Sequence, residues 1–523
     1  MRNKFSTVTT TFLSAIAVVL VTSAPSVVAQ QTASQRSYQQ ARRVLDDGVQ
    51  AMGGLEALRS IKDFTLKERG KVYARYQSPT PQLPYTVGAS EETLTVDNDR
   101  NLFFDDAKAA NGGFNNWVIT LINGSEGHTV DMWSKTDTPI VNPSINNFRG
   151  LIRRMPAFVL LEALDRASTL RYVGEDQLAG KKQKVISVIR PDNQLLSLFF
   201  DAQSKLLTRY EYLYADPMAG DSVIAQSYPA YRTVGKVKVP TGRILYNSGG
   251  VIQETEYTDV QINTHPAESL FVVPQGLEKL AAAPATPPPP AVVKIADDVY
   301  VLNGLNGGTH NVMFVAFNDY VLVIEAPEQI IYGSASVQAL AKIKETIPGK
   351  PIKYLVLTHH HSDHAGGFRE YVAEGATVVT TPGNKAFLEQ VASIESSLLP
   401  KASASKHALV IETVENKKRV FQDDKHRVEL YDIGPNPHAT EILVAYLPKE
   451  KILFQADMIN PNANGSIPIA QDVTLSFNEN LQKLGLDIEK IYGVHGRPTT
   501  PEELRTSVER RRSSELKVTT EQK

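Results

Sequence analysis

The spacing of apolar residues in the first half of the chain predicts one amphipathic helix followed by strands. Between residues 44 and 52, four apolar residues recur at the spacing of a single helix face, and Gly53 with Gly54 is a natural stop. Residues 195–200 and 206–213 are strand-like runs on either side of a polar turn, which predicts a hairpin. This half therefore begins as a helix and continues as β structure.

Other apolar segments of this half extend the same prediction. Residues 241–246 and 252–262 are typical of two more strands, and residues 151–164 are the best candidate for an internal helix. Neighbouring strands joined by short turns pair in antiparallel fashion. We therefore expect an antiparallel sheet with accompanying helices.

The second half contains a strand that ends in a cluster of histidines. Tyr354 to Thr358 is a short run of apolar, β-branched and aromatic residues, typical of a buried strand. It runs directly into residues 359–364, HHHSDH, and an amphipathic stretch at 368–372 then suits a helix. Such a strand end is a good place to gather ligands, because the rigid strand fixes the first side chain and the loop brings the others.

The spacing within this cluster favours metal binding. His359 and His361 are separated by one residue, so in an extended backbone both point the same way and can share one metal ion. Asp363 and His364 follow after the chain turns and can reach a second ion beside the first. The same alternation directs His360 away, and we expect a structural role for it.

A proline-rich segment divides the chain. Residues 280–290, LAAAPATPPPP, have the composition of a semi-rigid linker. A fragment beginning near Ala291 is therefore expected to fold and to bind metal by itself. The predicted organisation is a signal segment at 1–29, a β-rich domain at 30–279, a linker at 280–291, a second domain at 292–512 and a polar tail at 513–523.

The first 29 residues have the pattern of a secretory signal. Arg2 and Lys4 precede an apolar run at 12–21, which has the length of a signal segment and is too short to span a membrane as a helix. Small residues at 27–29 suit cleavage before Gln30. No later run is long and apolar enough to be a transmembrane segment, so we expect a periplasmic or secreted protein.

The composition narrows the possible chemistry. Of the 523 residues, 42% are hydrophobic and 21% are charged, which is typical of a globular protein with more than one domain. The net charge of -2 gives no reason to expect nucleic acid as a partner. The chain has no cysteine, so a metal site must use histidine and carboxylate ligands.

Residues 30–279 resemble the periplasmic lipoprotein-sorting proteins. The resemblance rests on residues 52–58 (MGGLEAL), the hairpin around 198–207, the strand end at 237–240 and the closing residues 271–274. It implies a curved antiparallel β-sheet with helices, whose apolar concave face binds an acyl or lipid ligand. A β scaffold that only positions or stabilises the second domain is the alternative.

Residues 292–512 resemble the metallo-β-lactamase superfamily, whose central motif is HxHxDH. The remaining motif residues follow in order, each at the end of a strand-like segment: His438, Asp457 and His495. The resemblance implies an αβ/βα sandwich, which makes the whole chain an α+β protein of two domains. It also implies a site for two Zn²⁺ ions. The implied ligands are His359, His361 and His438 for the first ion, Asp363, His364 and His495 for the second, and Asp457 between the two.

One position departs from the pattern of this superfamily. The strand-like residues 320–324 are followed by Glu325, where the superfamily usually has aspartate. Glu325 keeps the carboxylate and can still contact a metal-binding side chain. Specificity is expected to come from the loops at 305–311, 393–407 and 460–472. His310, Asn311 and Asn460 are candidates in these loops, and a structural role is expected for each.

The resemblance implies hydrolysis of a small molecule by a water that loses its proton between the two ions, with Asp363 as the catalytic residue that orients it. Aspartate at position 457, in place of cysteine or serine, makes the site similar to those of lactonases, glyoxalase II and phosphodiesterases. We therefore expect cleavage of an ester, lactone, thioester or phosphodiester. The alternatives are a β-lactamase-type amide hydrolase, a mononuclear iron dioxygenase and a lipid-binding carrier with an accessory metal site.

Overall fold

The structure is a computed structural model that describes residues 31–328, 334–399, 407–463 and 465–521. The predicted signal segment at 1–29 lies outside the described residues, as does part of the loop at 393–407. Within the described ranges, no helix is long and apolar enough to cross a membrane.

The described part of the N-terminal half is built on a fourteen-stranded sheet, in the order β16-β6-β5-β4-β3-β2-β1-β15-β14-β11-β10-β9-β8-β7. Neighbouring strands are antiparallel except β16 and β6, which confirms the antiparallel pairing predicted from the sequence; β12 and β13 pair separately. The strands are β1 (Asp63–Tyr73), β2 (Val87–Asp97), β3 (Leu102–Asn111), β4 (Phe114–Asn123), β5 (Glu126–Asp131), β6 (Thr136–Pro139), β7 (Arg171–Leu178), β8 (Lys181–Ile189), β9 (Leu195–Asp201), β10 (Leu207–Asp216), β11 (Gly220–Ser227), β12 (Tyr231–Val234), β13 (Val237–Pro240), β14 (Gly242–Asn247), β15 (Gly250–Ile262) and β16 (Glu278–Lys279).

Helices cover one face of this sheet. The predicted first helix is α1 (Ala33–Ala51), which is capped by Thr32 and followed by Gly53 at φ +124°. Its apolar side chains are buried against β strands and α4 (Pro156–Asp165) in one continuous core. The remaining helices here are α2 (Leu55–Arg59) and α3 (Arg149–Ile152), with short 3-10 segments at 145–148, 167–169 and 268–271.

The helix predicted at 151–164 is interrupted. It is divided into α3 and α4 because Met155 precedes Pro156 and takes an extended conformation, with φ −93° and ψ 106°. Arg154 lies in this break and its buried guanidinium pairs with Glu68, at 3.4 Å, and with Glu92. Because the helix is interrupted here, the buried guanidinium of Arg154 can pair with carboxylates of the sheet.

The described part of the C-terminal half contains two further sheets. Residues 280–290 have no regular structure apart from bends, and Ala291 already belongs to β17. The seven-stranded sheet consists of β17 (Ala291–Ala296), β18 (Val299–Gly304), β19 (His310–Ala316), β20 (Val321–Ile324), β21 (Ile352–Val356), β22 (Thr377–Thr380) and β23 (Ile411–Thr413). The five-stranded sheet consists of β24 (Lys418–Gln422), β25 (Arg427–Asp432), β26 (Leu443–Leu447), β27 (Ile452–Gln455) and β28 (Lys490–Gly493).

These sheets and their helices form four layers. Apolar side chains of both sheets share one buried cluster, so the sheets pack face to face. A second cluster joins the seven-stranded sheet to α6, α8 and α9, and a third joins the five-stranded sheet to α10 and α11. This αβ/βα arrangement is the one predicted. The helices are α5 (Leu305–Gly308), α6 (Ala335–Thr346), α7 (Ser362–Ala365), α8 (Phe368–Ala373), α9 (Pro382–Ala392), α10 (Asp472–Leu484) and α11 (Pro501–Glu521), with a 3-10 turn at 415–417.

Two details add to the predicted organisation. Helix α11 continues to Glu521, so residues 513–521 of the predicted polar tail belong to a helix. The two halves are also in contact away from the linker. The indole Nε1 of Trp133 donates to the carbonyl of Ile469 at 3.2 Å, and Arg369 Nη1 donates to the carbonyl of Pro217 at 2.7 Å.

Candidate metal centre

Strand β21 leads directly into the histidine cluster, which lies at one edge of the sandwich. The chain leaves the strand at Val356 and turns through α7, which carries Asp363 and His364. Gly366 and Gly367 permit the tight packing of this turn. A Cβ at Gly366 would lie 2.4 Å from the carbonyl oxygen of Ser362, and one at Gly367 would overlap the Ser336 side chain. Glycine is therefore required on steric grounds at both positions.

The other candidate residues lie in loops that follow strands. His438 follows β25, in a loop where Asn436 Oδ1 accepts from the His438 backbone N–H at 2.9 Å. Asp457 follows β27 with φ +64°, and the loop continues to Met458, whose N–H donates to Gln455 Oε1 at 2.7 Å. His495 follows β28. All these strand ends meet at the same edge of the two sheets.

His359, His361 and His438 form the first group of converging side chains. Their ring centroids are 4.3 to 4.9 Å apart, and the three residues are buried. Nε2 of His359 and Nε2 of His438 face each other at 3.2 Å. One nitrogen of each ring lies close enough to the others to hold one metal ion.

Asp457 lies between this group and the next. Its Oδ2 is 3.2 Å from Nε2 of His438, 3.4 Å from Nε2 of His359 and 2.8 Å from Nε2 of His364. Its Oδ1 is 3.2 Å from Nε2 of His495. The carboxylate thus contacts imidazoles that were predicted to bind different ions.

A further group contains Asp363, His495 and His310. Oδ2 of Asp363 is 3.4 Å from Nε2 of His364, 3.7 Å from Nε2 of His310 and 3.8 Å from Nε2 of His495. His310 was expected to be structural, yet its imidazole takes part in a group that could hold a metal ion. The signal in the sequence is a histidine that opens β19, a strand that is apolar from Val312 onwards, soon after a glycine-rich turn.

Neighbouring groups fix the orientation of these imidazoles. Nδ1 of His359 lies 3.0 Å from the hydroxyl of Thr358, and Nδ1 of His495 donates to the carbonyl of Thr309 at 2.9 Å. Nδ1 of His364 lies 3.0 Å from Oε2 of Glu325. In each case the opposite nitrogen, Nε2, faces the centre. Contacts of this kind set the tautomer of a metal-binding histidine.

The electrostatics of the centre favour a cation. Burial lowers the pKa of His359 well below its ordinary value, so this imidazole is neutral and its lone pair is available. Burial alone would raise the pKa of Asp457, but the adjacent His364 and His438 together outweigh it and the pKa lies well below the ordinary value. The pKa of His364 is raised well above its ordinary value against burial, because Asp457 and Asp363 lie beside it.

The side chains of this centre suit a metal ion, because they leave a buried imidazole nitrogen without a hydrogen-bond partner. Nδ1 of His361 is buried and has no hydrogen-bond partner among the described residues, and His361 belongs to the first group. An unpartnered buried nitrogen is costly unless a ligand completes it. His360, by contrast, belongs to none of the groups and packs edge-on against Phe387 at 5.9 Å. The structure therefore brings the seven predicted residues together, and their roles as ligands stay a prediction.

Comparison with known proteins finds a family match in the C-terminal half of the chain. Residues 305–495 match the sequence model of the metallo-beta-lactamase superfamily, so the second half has the fold of that superfamily. No curated protein matches the chain. The resemblance of residues 30–279 to lipoprotein-sorting proteins finds no support in these comparisons and stays a prediction.

Several solved structures are similar over less than half of this chain. A metallo-beta-lactamase from Pontibacter korlensis is 19% identical, with a TM-score of 0.32, and covers 43% of this chain and 99% of its own. A metallo-beta-lactamase from Hirschia baltica is 21% identical, with a TM-score of 0.32 and coverages of 43% and 98%. A stereoselective inverting sec-alkylsulfatase from Pseudomonas sp. is 19% identical, with a TM-score of 0.31 and coverages of 42% and 41%.

Proposed function

We propose that the C-terminal half is a hydrolase that uses two zinc ions to cleave an ester, lactone, thioester or phosphodiester. The position of Asp457 carries the proposal. Its carboxylate contacts His438 of the first group at 3.2 Å and His495 of the further group at 3.2 Å, and it also contacts His364 at 2.8 Å. A carboxylate between two sets of imidazoles suits a pair of ions held side by side.

Individual residues of the chain would have separate roles in such a site. Two bound zinc ions would lower the pKa of a water and polarise the bond to be cleaved. Asp363 is the proposed catalytic residue, since its Oδ2 faces His364, His310 and His495 and can accept a hydrogen bond from the attacking water. Asp457 would hold the two groups of imidazoles in register. No serine or cysteine nucleophile is needed.

The choice of substrate class and location rests on the sequence. An aspartate at position 457, where a β-lactamase would have cysteine or serine, favours ester, lactone, thioester or phosphodiester over amide substrates. We also propose export by way of residues 1–29 to the periplasm or the medium. N-terminal sequencing of the exported protein should then begin near Gln30.

Metal analysis combined with a substrate panel tests the proposal. The full chain, purified without chelators, should contain about two zinc ions and hydrolyse an aryl ester, a lactone, a thioester or a phosphodiester, with little turnover of nitrocefin. Asp457→Ala should retain one zinc ion, because the first group keeps its three histidines. Its activity should fall by orders of magnitude. Asp297→Ala is the matched control, since the Asp297 side chain is 81% exposed.

Two results would contradict the proposal. One tightly bound iron ion and no zinc would favour an iron dioxygenase. Efficient turnover of nitrocefin, with no hydrolysis of the other substrates, would replace the proposed substrate class with a β-lactam.

A further inference from the structure

A loop from the N-terminal half lies against the candidate metal centre. We call residues 74–86, which join β1 to β2, the β1–β2 loop. The carbonyl of Tyr76 accepts from the backbone N–H of Ser362 at 3.3 Å, and the carbonyl of Pro79 accepts from that of Thr440 at 2.8 Å. Ser362 precedes Asp363, and Thr440 lies two residues after His438. The loop is thus hydrogen-bonded to both segments that carry candidate ligands.

Gln77 in this loop contacts Asp363 directly. Its Nε2 donates to Oδ1 of Asp363 at 2.7 Å and to the hydroxyl of Ser362 at 3.3 Å. The other oxygen of Asp363, Oδ2, is the one that faces His364 and His495. An ionised carboxylate only accepts hydrogen bonds, so the amide nitrogen must be the group that Gln77 presents. One oxygen is therefore held while the other is directed at the centre.

Ser78, the next residue, contacts a second candidate ligand. Nε2 of His361 donates to the Ser78 carbonyl at 2.9 Å, which places the proton on Nε2 and leaves the unpartnered Nδ1 as the nitrogen with a lone pair for a metal ion. The Ser78 side chain is buried, donates to the carbonyl of Ala74 at 2.9 Å and accepts from the N–H of Thr86 at 2.8 Å. The Ser78 hydroxyl thereby links both ends of the loop and holds the Ser78 carbonyl in position.

A second segment of the N-terminal half reaches the same centre. The ring of Phe114, at the start of β4, lies edge-on to His438 with centroids 5.3 Å apart. The adjacent Asn115 exchanges two hydrogen bonds with Gln471, at 3.0 and 3.1 Å. The N-terminal half therefore touches three candidate ligands, Asp363, His361 and His438, by way of two separate segments, the β1–β2 loop and the start of β4.

We propose that the N-terminal half is a structural part of the metal centre, with Gln77 and Ser78 as positioning residues. Gln77 sets the orientation of the Asp363 carboxylate, and the Ser78 carbonyl sets the tautomer of His361. Both act through a ligand and neither needs to touch the substrate. The inference rests on the proposed metal-dependent function, and it assigns to residues 74–86 a role that neither a lipid carrier nor a passive scaffold would require.

Zinc affinity of the full chain tests this role. Titration against a chromophoric chelator should show that Gln77→Leu binds its first zinc ion like the wild type and its second about 10- to 100-fold more weakly, as expected for loss of a contact that orients a ligand. Gln77→Glu keeps the size of the side chain but sets a second carboxylate against Asp363, so the loss should be at least as large. Gln82→Leu, in the exposed part of the same loop, should match the wild type.

A double-variant cycle separates positioning from general stability. In an Asp363→Ala background, Gln77→Leu should cause no additional loss of zinc affinity, because its only route to the ion has been removed. Wild-type affinity for both ions in Gln77→Leu would overturn the inference. So would an equal loss in the presence and absence of the Asp363 side chain.

The titration also distinguishes this inference from the proposed function. It uses zinc alone and requires no substrate. A chain that binds two zinc ions but hydrolyses no member of the panel would contradict the proposed function, while the Gln77 affinities would still decide the positioning role. A wild-type chain that binds no zinc would overturn both.

Discussion

Nδ1 of His364 lies 3.0 Å from Oε2 of Glu325, at the end of strand β20. The other oxygen of the same carboxylate accepts from the backbone N–H of Thr358 at 3.0 Å. Glu325 is fully buried and has φ +84°, so its backbone is held in a conformation that non-glycine residues rarely adopt. One glutamate thus fixes an imidazole of the metal centre and the strand end that leads into it.

Loss of the charge on Glu325 should weaken binding of the second zinc ion. Glu325→Gln keeps the shape of the side chain but replaces one acceptor by an amide N–H, which must face either Thr358 N–H or His364 Nδ1–H. We expect zinc affinity to fall about 10- to 100-fold, measured by chelator competition. Glu345→Gln, whose side chain is 69% exposed in the wild type, is the control. Unchanged affinity for both ions would show that this contact has no part in metal binding.

His310 should contribute to the same ion. Its Nε2 lies 3.7 Å from Oδ2 of Asp363, and its ring lies 4.4 Å from that of His495, edge-on. His310→Ala should therefore reduce the affinity for the second ion and leave the first ion in place. His265→Ala, at an imidazole that is 78% exposed, serves as the matched control. A variant that keeps both ions at wild-type affinity would return His310 to the structural role that the sequence suggested.

The sequence predicts more of the fold of the C-terminal half than of the N-terminal half, and the reason is physical. Metal ligands must be of a few residue types and must lie at strand ends. A single sequence is therefore enough to recognise the HHHSDH segment and the later His438, Asp457 and His495. The strands of the N-terminal sheet leave only an alternation of apolar residues, which gives the hairpin at 195–213 but not the order of fourteen strands.

The parts of the site that escaped prediction lie far away in the sequence or use common residue types. Gln77 contacts Asp363 across 286 positions, and the Ser78 contact to His361 uses a backbone carbonyl that any residue could supply. His310 was noticed only as a loop residue. In each case the information is in the packing of the two halves, which local patterns do not record.

A buried carboxylate in the N-terminal sheet makes a prediction about pH. Asp105 on β3 has its pKa raised to about 9, because burial and the adjacent Glu92 disfavour its ionised form. An aspartate in the unfolded chain ionises near pH 4. Between these values the folded state binds the additional proton, so this residue makes the protein less stable as the pH rises.

Asp105→Asn should remove this dependence. The amide resembles the neutral acid, so the variant should be about as stable as the wild type near pH 4 and more stable at pH 8. The difference should grow by up to about 1.4 kcal/mol per pH unit between these limits. Urea unfolding at several pH values measures it, with Asp176→Asn at an exposed position as the control. A difference that stays constant or shrinks with rising pH would contradict the assignment.

The contacts between the halves change what we expect of a fragment that begins at Ala291. The linker pattern alone suggested that such a fragment would keep its metal site. Its core clusters are formed almost entirely by residues after 291, so the fragment should fold, as circular dichroism would report. It would lack the Gln77 amide and the Ser78 carbonyl, however, and Asp363 and His361 would lose the groups that orient them.

We therefore expect the folded fragment to bind zinc at least tenfold more weakly than the full chain, with the second ion affected more than the first. The comparison needs both proteins at the same pH and zinc concentration, because protons compete with the metal for the same nitrogen and oxygen atoms. Gln77→Leu in the full chain should reproduce part of the loss, since it removes one of the two contacts. If the folded fragment binds both ions as tightly as the full chain, the linker marks a true functional boundary and the N-terminal contacts do not affect metal binding.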